Sequence, residues 1–348
     1  MAQDTTHELP LVTAELPGTG GVVRATPEDF EVEELPAYEP GGAGPHLYLL
    51  IQKRGRNTRD VARELARLAG VPEREVGYAG LKDRHALTRQ WFSVPVPADD
   101  MAFEGEGWSV LRRARHGNKL RTGHLRGNRF TLRLRDVCPD AAERARAIAD
   151  ALRARGLPNF YGEQRFGRGG NNVDEGLRML RGARGPRDRF QRRMLLSAVQ
   201  ARLFNEVLAE RMRRDLFDVA LAGDVLKKLE TGGLFVCADP AADTPRVRAF
   251  EVSPTGPMFG HRMMPAAGAV QQAELAVLDG AGLTFASFRP FGPDAEGTRR
   301  PMRLPLDLAL LATADELVVS FTLPKGSYAT VVLRELMKAP ASVPEDAE

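Results

Sequence analysis

The sequence predicts an α+β protein in which one domain, built on a mixed or antiparallel sheet, is interrupted by an inserted α+β segment. Residues 20–157 alternate short strand patterns with amphipathic helices. The sequence pattern changes at Pro158. Stretches rich in Gly, Asn and Arg follow, and then a long amphipathic helix. After Pro305 the strand and helix patterns of the first part return. We therefore divide the chain into a first part at residues 1–157, an insertion at 158–304 and a second part at 305–348.

The strands follow from the alternation of apolar and polar residues, which puts one kind of side chain on each face. In the first part this alternation predicts strands at residues 22–24, 30–34, 46–52, 76–80, 90–96 and 130–135. In the last of these, Phe130, Leu132 and Leu134 share one face and the other face is basic. Two further strands are predicted after the insertion, at residues 307–311 and 317–323.

The helices follow from apolar residues spaced three or four apart. Val61, Leu65 and Leu68 form such a stripe, which begins after a polar cap at residue 57 or 58 and ends at Gly70. A second helix is predicted to open at Pro139 and to end near residue 156. A long helix is predicted at about residues 191–213 of the insertion, and a last one has its apolar face at residues 329, 332, 333 and 336.

Composition limits the class of protein. Hydrophobic residues make up 43% and charged residues 27%, which is typical of a folded globular protein and argues against disorder or a coiled coil. The apolar runs are shorter than the roughly 20 residues of a membrane span. Asp4, Glu8 and Glu15 stand where a secretion signal has a basic end and an apolar stretch. Cys138 and Cys237 lie far apart, so neither a disulfide framework nor a sulfur-rich zinc site is predicted. We expect a cytoplasmic protein that does not contact a membrane.

Charge is distributed in blocks. Residues 1–50 hold nine acids and one base, whereas residues 111–135 hold nine bases and no acid, and residues 178–214 hold eleven arginines. The guanidinium fork of arginine pairs with phosphate in two-pronged fashion, so these stretches suggest a polyanion such as RNA. A salt-bridged surface or a GC-rich genome is the alternative explanation. The bases that we expect on an RNA backbone are Arg112, Arg113, Arg115, Lys119 and Arg121.

The densest group of polar residues between two predicted strands lies at residues 77–90, and strand ends are where sites are usually built. Asp83 is its one carboxylate. Lys82, Arg84 and Arg89 surround Asp83 in sequence, and positive neighbours favour the charged form of a carboxylate. The alternative is an aspartate that only satisfies the backbone N–H groups of a turn. The spacing leaves both alternatives open.

Other kinds of site are not indicated by the sequence. The six histidines lack the spacing of a zinc site, and residues 162–170 match neither a phosphate-binding loop nor a dinucleotide pattern. No serine lies in a G-x-S-x-G elbow. We therefore expect neither a metal nor a cofactor. Phe30, Phe130 and Tyr328 could stack on a base, and packing in the core is the alternative for each.

Six ordered blocks of the sequence resemble the TruD family of tRNA pseudouridine synthases. They are residues 26–34 (TPEDFEVEE), 79–90 (AGLKDRHALTRQ), 127–130 (GNRF), 157–167 (LPNFYGEQRFG), 255–260 (TGPMFG) and 323–335 (LPKGSYATVVLRE). The resemblance spans nearly the whole chain. It implies a pseudouridine-synthase catalytic domain split by an insertion particular to the family. It also implies the isomerisation of one uridine of tRNA, at position 13 in bacterial members, without cofactor or metal.

The resemblance also implies roles for individual residues. Asp83 matches the catalytic aspartate and would act as the nucleophile, since a carboxylate can form and release an adduct while uracil detaches and turns. Arg24 matches the position of its cationic partner, where the family more often has Lys. Tyr328 stands where the family often has Phe. Arg24 preserves the positive charge of Lys, and Tyr328 preserves the ring shape of Phe. The residues implied to surround the target nucleotide are Phe30, Asn128, Phe130 and Tyr328.

Three functions compete on the sequence. A non-catalytic tRNA-binding protein or RNA-folding chaperone would use the same basic surface, but it has no use for a carboxylate that faces phosphates. A carboxylate-dependent nuclease would need several convergent acids, and only Asp83 lies in the candidate site. We therefore expect a tRNA pseudouridine synthase, monomeric, with tRNA as its partner.

Overall fold

The computed structural model describes residues 9–23, 25–313 and 315–338, without the side chain of Arg168. Within these residues the strands are β1 (Gly20–Val23), β2 (Phe30–Pro36), β3 (His46–Lys53), β4 (Gly77–Tyr78), β5 (Leu87–Pro95), β6 (Trp108–His116), β7 (Leu125–Val137), β8 (Leu157–Pro158), β9 (Val225–Lys228), β10 (Leu234–Val236), β11 (Val252–Met258), β12 (Thr298–Pro301), β13 (Arg303–Leu304), β14 (Ala309–Ala312) and β15 (Glu316–Pro324). The helices are α1 (Thr58–Ala69), α2 (Ala141–Arg155), α3 (Asn171–Leu180), α4 (Arg189–Arg213), α5 (Pro240–Arg248), α6 (Gly268–Gly280), α7 (Phe285–Phe288) and α8 (Ala329–Met337).

A large nine-stranded sheet forms the framework, in the order β14-β15-β7-β2-β5-β3-β6, with β1 also paired to β7 and β4 to β5. β2 and β5 run parallel, and the other pairs are antiparallel. The predicted α+β class with a mixed sheet is confirmed. The last two strands in sequence join the sheet beside β7, so the chain returns to its first part after residue 304.

The segment between α2 and β14 builds a second, small sheet in the order β10-β9-β11-β12, accompanied by α3 to α7. The chain leaves and re-enters the first part at one place, because Leu157 and Pro158 pair with Leu304 and Arg303. This pair coincides in sequence with the boundaries that we predict at 157/158 and 304/305, and the division into domains stays a prediction. The core is continuous across it: Phe204 of α4 and Met258 of β11 belong to the same buried cluster as the residues of β7 and β15.

The face of the large sheet that carries Val32, Phe130, Leu49 and Phe92 buries apolar residues in two clusters. β2, β7 and β15 pack with α2 and α8 in one cluster, in which Phe130, Leu132 and Leu134 are 7%, 0% and 0% exposed. β3 and β5 pack with α1 in a second cluster around Leu49 and Phe92. The alternation predicted for β7 is therefore confirmed, and the helices cover the sheet because their apolar stripes need the same burial.

The structure also shows where the predicted elements differ. α1 ends as predicted, at Gly70 in the left-handed conformation (φ 67°) that glycine adopts without strain. Two helices begin slightly away from the predicted start, at Ala141 instead of residue 139 and at Arg189 instead of 191. β6 was not predicted. It is an edge strand on which Leu111, Arg112 and Arg113 are all exposed, so no buried face imposes an apolar alternation.

Candidate active site

The candidate site lies where the two parallel strands of the large sheet separate. β2 pairs with β5 only at residues 31–33. Farther along the same edge of β5, β4 takes over the pairing at Tyr78. Residues 79–86 link β4 to β5, and the loop contacts Thr58 of α1, Gln90 of β5 and Lys53 of β3. The loop that carries Asp83 therefore begins where the two parallel strands separate and reaches the end of β3 and the start of α1.

Two buried side chains hold the backbone of this loop. Thr58, the first residue of α1, accepts a hydrogen bond at Oγ1 from the Lys82 N–H (2.9 Å) and donates one to Gln90 Oε1 (2.9 Å). Gln90 donates from Nε2 to the Gly80 carbonyl (3.1 Å). Thr58 and Gln90 are 1% and 0% exposed. Breaking a buried hydrogen bond leaves polar groups unpaired, so the loop has a defined position.

A buried lysine lies beneath Asp83. Lys53, the last residue of β3, is 1% exposed. Its Nζ donates to the carbonyl oxygens of Arg56 (2.8 Å), Asp83 (2.8 Å) and Lys82 (3.3 Å). Burial lowers the pKa of Lys53 to about 8, a shift that the Asp83 carboxylate opposes and the Lys82 charge reinforces. Sequence reasoning missed Lys53, whose one signal was a charge directly after an apolar strand.

The Asp83 carboxylate accepts a hydrogen bond at Oδ1 from the His85 N–H (2.9 Å). This contact is the one expected if Asp83 only satisfies a backbone N–H group of its turn. A carboxylate has room for more hydrogen bonds than this one, so the contact orients Asp83 and does not decide its role.

A buried ion pair joins the loop to β2 and β7. Lys82 Nζ lies 3.0 Å from Glu34 Oε2, with the two side chains 6% and 1% exposed. The same Nζ donates to Asn128 Oδ1 (2.7 Å). Glu34 also accepts at Oε1 from the Trp91 N–H (3.3 Å), and it lies directly opposite Asn128 in the sheet. Asn128 is thus connected to Asp83 through the neighbouring Lys82, and sequence reasoning missed Glu34.

Tyr328 lies at the start of α8, against the segment that follows β8. Its ring centroid is 5.7 Å from that of Tyr161. A Cβ on Gly162 would lie 2.8 Å from Thr330 Oγ1 and 3.2 Å from Tyr328 Cδ1, so a larger residue there would displace one of these side chains. Burial raises the pKa of Tyr328, and the positive charges of Arg165 and Arg300 act against that shift. The Tyr328 ring is therefore held among polar and charged neighbours at the junction with the insertion.

Phe30 and Phe130 pack into the core. They are 4% and 7% exposed, and their rings meet edge to face with centroids 6.2 Å apart. Phe130 also stacks on Phe321 at 5.4 Å. The rings are buried on the face of the sheet that carries Asn128 and Glu34, and their contact with a nucleotide stays a prediction.

The five bases expected on an RNA backbone differ in their surroundings. Arg112 is exposed and forms an ion pair with Glu39 at 3.2 Å. Arg113 and Arg115 brace the neighbouring segment by donating to the carbonyls of Met101 (2.7 Å) and Val96 (2.6 Å). Lys119 donates to the Arg74 carbonyl. Arg121 is exposed.

The distance of these bases from Asp83 follows from the strand register. Arg115 is opposite Leu47, whereas Trp108 is opposite Lys53. Six residues of strand separate Leu47 from Lys53, which is about 20 Å. An RNA that contacts both ends of β6 would therefore extend well beyond the target nucleotide.

Arg24, the expected cationic partner of Asp83, lies outside the described residues. Within residues 9–23, 25–313 and 315–338, no three His, Cys, Asp or Glu side chains are grouped as a metal site needs. No helix in that part of the chain is both long and apolar enough to span a bilayer.

Comparison with known proteins agrees with the geometry. The family model described as tRNA pseudouridine synthase D (TruD) matches residues 7–185 and 186–336. The chain belongs to the TruD family. A TruD protein of Anaeromyxobacter dehalogenans is 55% identical to it over 98% of this chain and 99% of its own. One of Thermus thermophilus is 45% identical over 97% of each chain. A crystal structure of a candidate TruD from Methanosarcina mazei superimposes with a TM-score of 0.78 at 24% identity, covering 95% of this chain and 96% of the other.

The blocks that resemble the TruD family are distant in sequence and meet in space. Asn128 lies opposite Glu34 on one side and Leu323 on the other. Ser327 donates from Oγ to Asn159 Oδ1 at 3.1 Å, which joins the block after β15 to the block after β8. Five of the six blocks are thus linked by strand pairing or hydrogen bonds through Glu34, Lys82, Asn128, Leu323 and Asn159.

Proposed function

We propose that this chain converts a uridine of tRNA into pseudouridine, with Asp83 as the nucleophile and position 13 as the target. The observation that carries the proposal is the placement of Asp83 on a loop that begins where β2 and β5 separate and that is held by Thr58, Gln90 and Lys53. A reacting carboxylate must be positioned within fractions of an ångström, and buried hydrogen bonds provide that. Membership of the TruD family supports the same reaction.

The reaction requires no external reagent. The C1′–N1 glycosidic bond breaks, uracil turns, and a bond forms between C1′ and C5, after which C5 loses its proton. Asp83 can add to C1′ and leave again, or it can take the C2′ proton to give a glycal that re-forms the sugar. Both routes return the carboxylate unchanged, which suits an isomerisation with no net oxidation.

The target base would enter between the loop and the insertion. Asn128 is available for the polar edge of uracil, Tyr328 for its face, and Phe30 and Phe130 for the floor below. Arg24 is the proposed partner of the Asp83 carboxylate. Residues 158–304 form the proposed inserted domain, which closes this space from the side of Tyr161 and Arg300.

The setting of this activity follows from its substrate. We expect a monomer that meets tRNA in the cytoplasm. The two cysteines, Cys138 and Cys237, are free thiols, and a reducing compartment would keep them so.

The test is the substitution Asp83→Asn, which keeps the shape and removes the nucleophile. We expect pseudouridine formation to disappear while the affinity for tRNA stays within a few-fold of wild type. Asp150→Asn on α2 is a matched control, because its carboxylate is 73% exposed and pairs with the exposed Arg153. Pseudouridine is measured by single-turnover release of tritium from C5-labelled tRNA. Turnover above background in Asp83→Asn would contradict the assignment and favour a non-catalytic tRNA-binding protein.

A further inference from the structure

The ion pair between Lys82 and Glu34 determines which end of the Asn128 amide faces a ligand. An ammonium group has three N–H donors and no acceptor, so it can meet only the oxygen of an amide. Lys82 Nζ lies 2.7 Å from Asn128 Oδ1. The orientation of the amide is therefore imposed by the chemistry of its partner.

Lys82 is itself held in place. Its Nζ lies 3.0 Å from Glu34 Oε2 in a pair whose side chains are 6% and 1% exposed. Glu34 is anchored by the Trp91 N–H. A buried charge that lost this partner would be costly, so Lys82 has no low-energy alternative to its present position. Since Thr58 also holds the Lys82 N–H, both ends of the residue are constrained.

The free end of the amide is a donor. Asn128 is half-buried, and its Nδ2 donates to no atom of the described residues. Asn128 and Glu34 lie on the face of the sheet that carries Phe130 and Val32, one pair of residues beyond them. The NH2 group thus lies just beyond the buried side chains of Val32 and Phe130, where it can meet the edge of an entering base.

We propose that the Lys82–Glu34 pair makes Asn128 a donor-only contact and thereby lets the site select uracil over cytosine. The inference rests on the proposed function. Uracil presents a carbonyl at position 4, which accepts a hydrogen bond from the Asn128 NH2 group. Cytosine presents an amino group there, and two donors facing each other leave both unpaired. An amide free to flip would accept from cytosine equally well, so Lys82 and Glu34 are the specificity-determining residues and act through Asn128.

The experiment compares two transcribed tRNAs that differ only in U or C at the modified position. Their dissociation constants are measured in the Asp83→Asn background, where no product forms. We expect U to bind about tenfold or more tightly than C, since replacing a hydrogen bond by an unpaired polar group has about that effect. Asn128→Asp replaces the donor with an acceptor and should bring the two constants within about threefold of each other or reverse their order.

Lys82→Met should also bring the ratio within about threefold, because the amide can then flip. Lys82→Met combined with Glu34→Gln removes the pair without leaving a buried charge, and it keeps the test valid if the single variant does not fold. Lys119→Met is the control: it removes a lysine outside the site and should weaken both tRNAs alike. An unchanged U/C ratio in Asn128→Asp and in the double variant would overturn the proposal.

The experiment distinguishes a failure of the proposed reaction from a failure of the proposed selectivity. Turnover of the U-containing tRNA by the wild-type enzyme reports on the reaction, whereas the U/C binding ratio reports on Asn128. If the wild-type enzyme turns over the U-containing tRNA but no variant changes the U/C binding ratio, only the selectivity proposal is overturned. A wild-type U/C ratio near one would also overturn only the selectivity proposal.

Discussion

Two buried lysines lie beside Asp83, and each has a different set of partners. Lys53 is surrounded by three backbone carbonyls, two of them from the loop that carries Asp83. Lys82 pairs with a carboxylate and an amide. A buried ammonium without such partners would cost several kcal/mol. Both lysines are therefore bound to particular geometries of the loop.

Replacing Lys53 tests whether its charge positions the loop. In Lys53→Met the carbonyls of Lys82 and Asp83 lose their donor, so we expect the single-turnover rate to fall at least tenfold with little change in tRNA affinity. In the wild type, the ammonium is charged below its pKa of about 8 and neutral above it. The rate should therefore decline as pH rises through about 8, because the neutral amine holds the carbonyls less firmly.

Lys53→Met should lack that alkaline decline. The charged groups that face Lys53 are Asp83 and Lys82, which share its surroundings and stay in both proteins. The measurement is the rate from pH 6.5 to 9.5 with saturating enzyme for both proteins. An identical alkaline decline in both would assign it to another group.

At the level of elements, the charge blocks of the sequence partly neutralise each other. β2 is beside β7, and the segment that follows β2 reaches β6, so acids of residues 1–50 meet bases of residues 111–135. The pairs are Asp29 with Arg135 (2.8 Å), Glu33 with Arg129 (3.0 Å) and Glu39 with Arg112 (3.2 Å). Salt bridges are the alternative explanation for the basic stretches of the sequence. Such salt bridges are present on these strands, and they reduce the positive charge available to RNA.

The arginines on and after the edge strand β6 are of two kinds, exposed and half-buried. Replacing Arg112, Arg113 and Arg115 together is expected to flatten the salt dependence of tRNA binding, and the structure sharpens this prediction. Arg112 and Arg121 are exposed. Changing both to Gln should lower the slope of log affinity against log salt by roughly 0.7–0.9 for each phosphate that the variant no longer neutralises.

Arg115→Gln is the comparison, because the Arg115 side chain is only 14% exposed and donates to the Val96 carbonyl. It should lower the denaturation midpoint and change the salt slope little. Filter binding between 50 and 300 mM salt, together with urea denaturation, distinguishes the two effects. If the Arg112/Arg121 variant keeps the wild-type slope of log affinity against log salt, the RNA binds another face of the protein.

At the level of the whole molecule, Arg303 joins the segment that we propose as an insertion to the first part of the chain. Arg303 is 1% exposed. It donates to the Ala154 carbonyl at 3.1 Å and to the Arg155 and Val247 carbonyls, so it joins the ends of α2 and α5. Its guanidinium also lies 3.9 Å from the Phe250 ring centroid. This one side chain connects elements from both sides of the β8–β13 pair.

We therefore expect Arg303→Met to lower the free energy of unfolding by about 3 kcal/mol, since it leaves several buried carbonyls unpaired. Arg153→Met is the matched control on α2. Its ion pairs with Asp150 and Asp307 involve a side chain that is 54% exposed, and such pairs contribute less than about 1 kcal/mol. Both values come from urea denaturation, and equal decreases in the two variants would show that Arg303 does not join the two parts.

The sequence by itself determined the family and several elements with a buried face, but it did not locate the fully buried strand β11 or the helices α3, α5 and α6. The stripe of α1 and the alternation of β7 and β15 are local patterns, and burial of one face enforces them. β6 lacked such a face and escaped prediction. The motif around Asp83 was equally local, so the loop and its family resemblance could be recognised along the chain.

Only the tertiary structure decided which groups surround Asp83. Lys53 is 30 positions from Asp83, Lys82 is 46 positions from Asn128, and Arg303 is 149 positions from Ala154. Nothing in the neighbouring residues specifies these partners. A buried charge requires a partner, but which one it finds depends on how strands and helices distant in sequence come together, and this determines which charges are paired inside the fold and which remain for RNA.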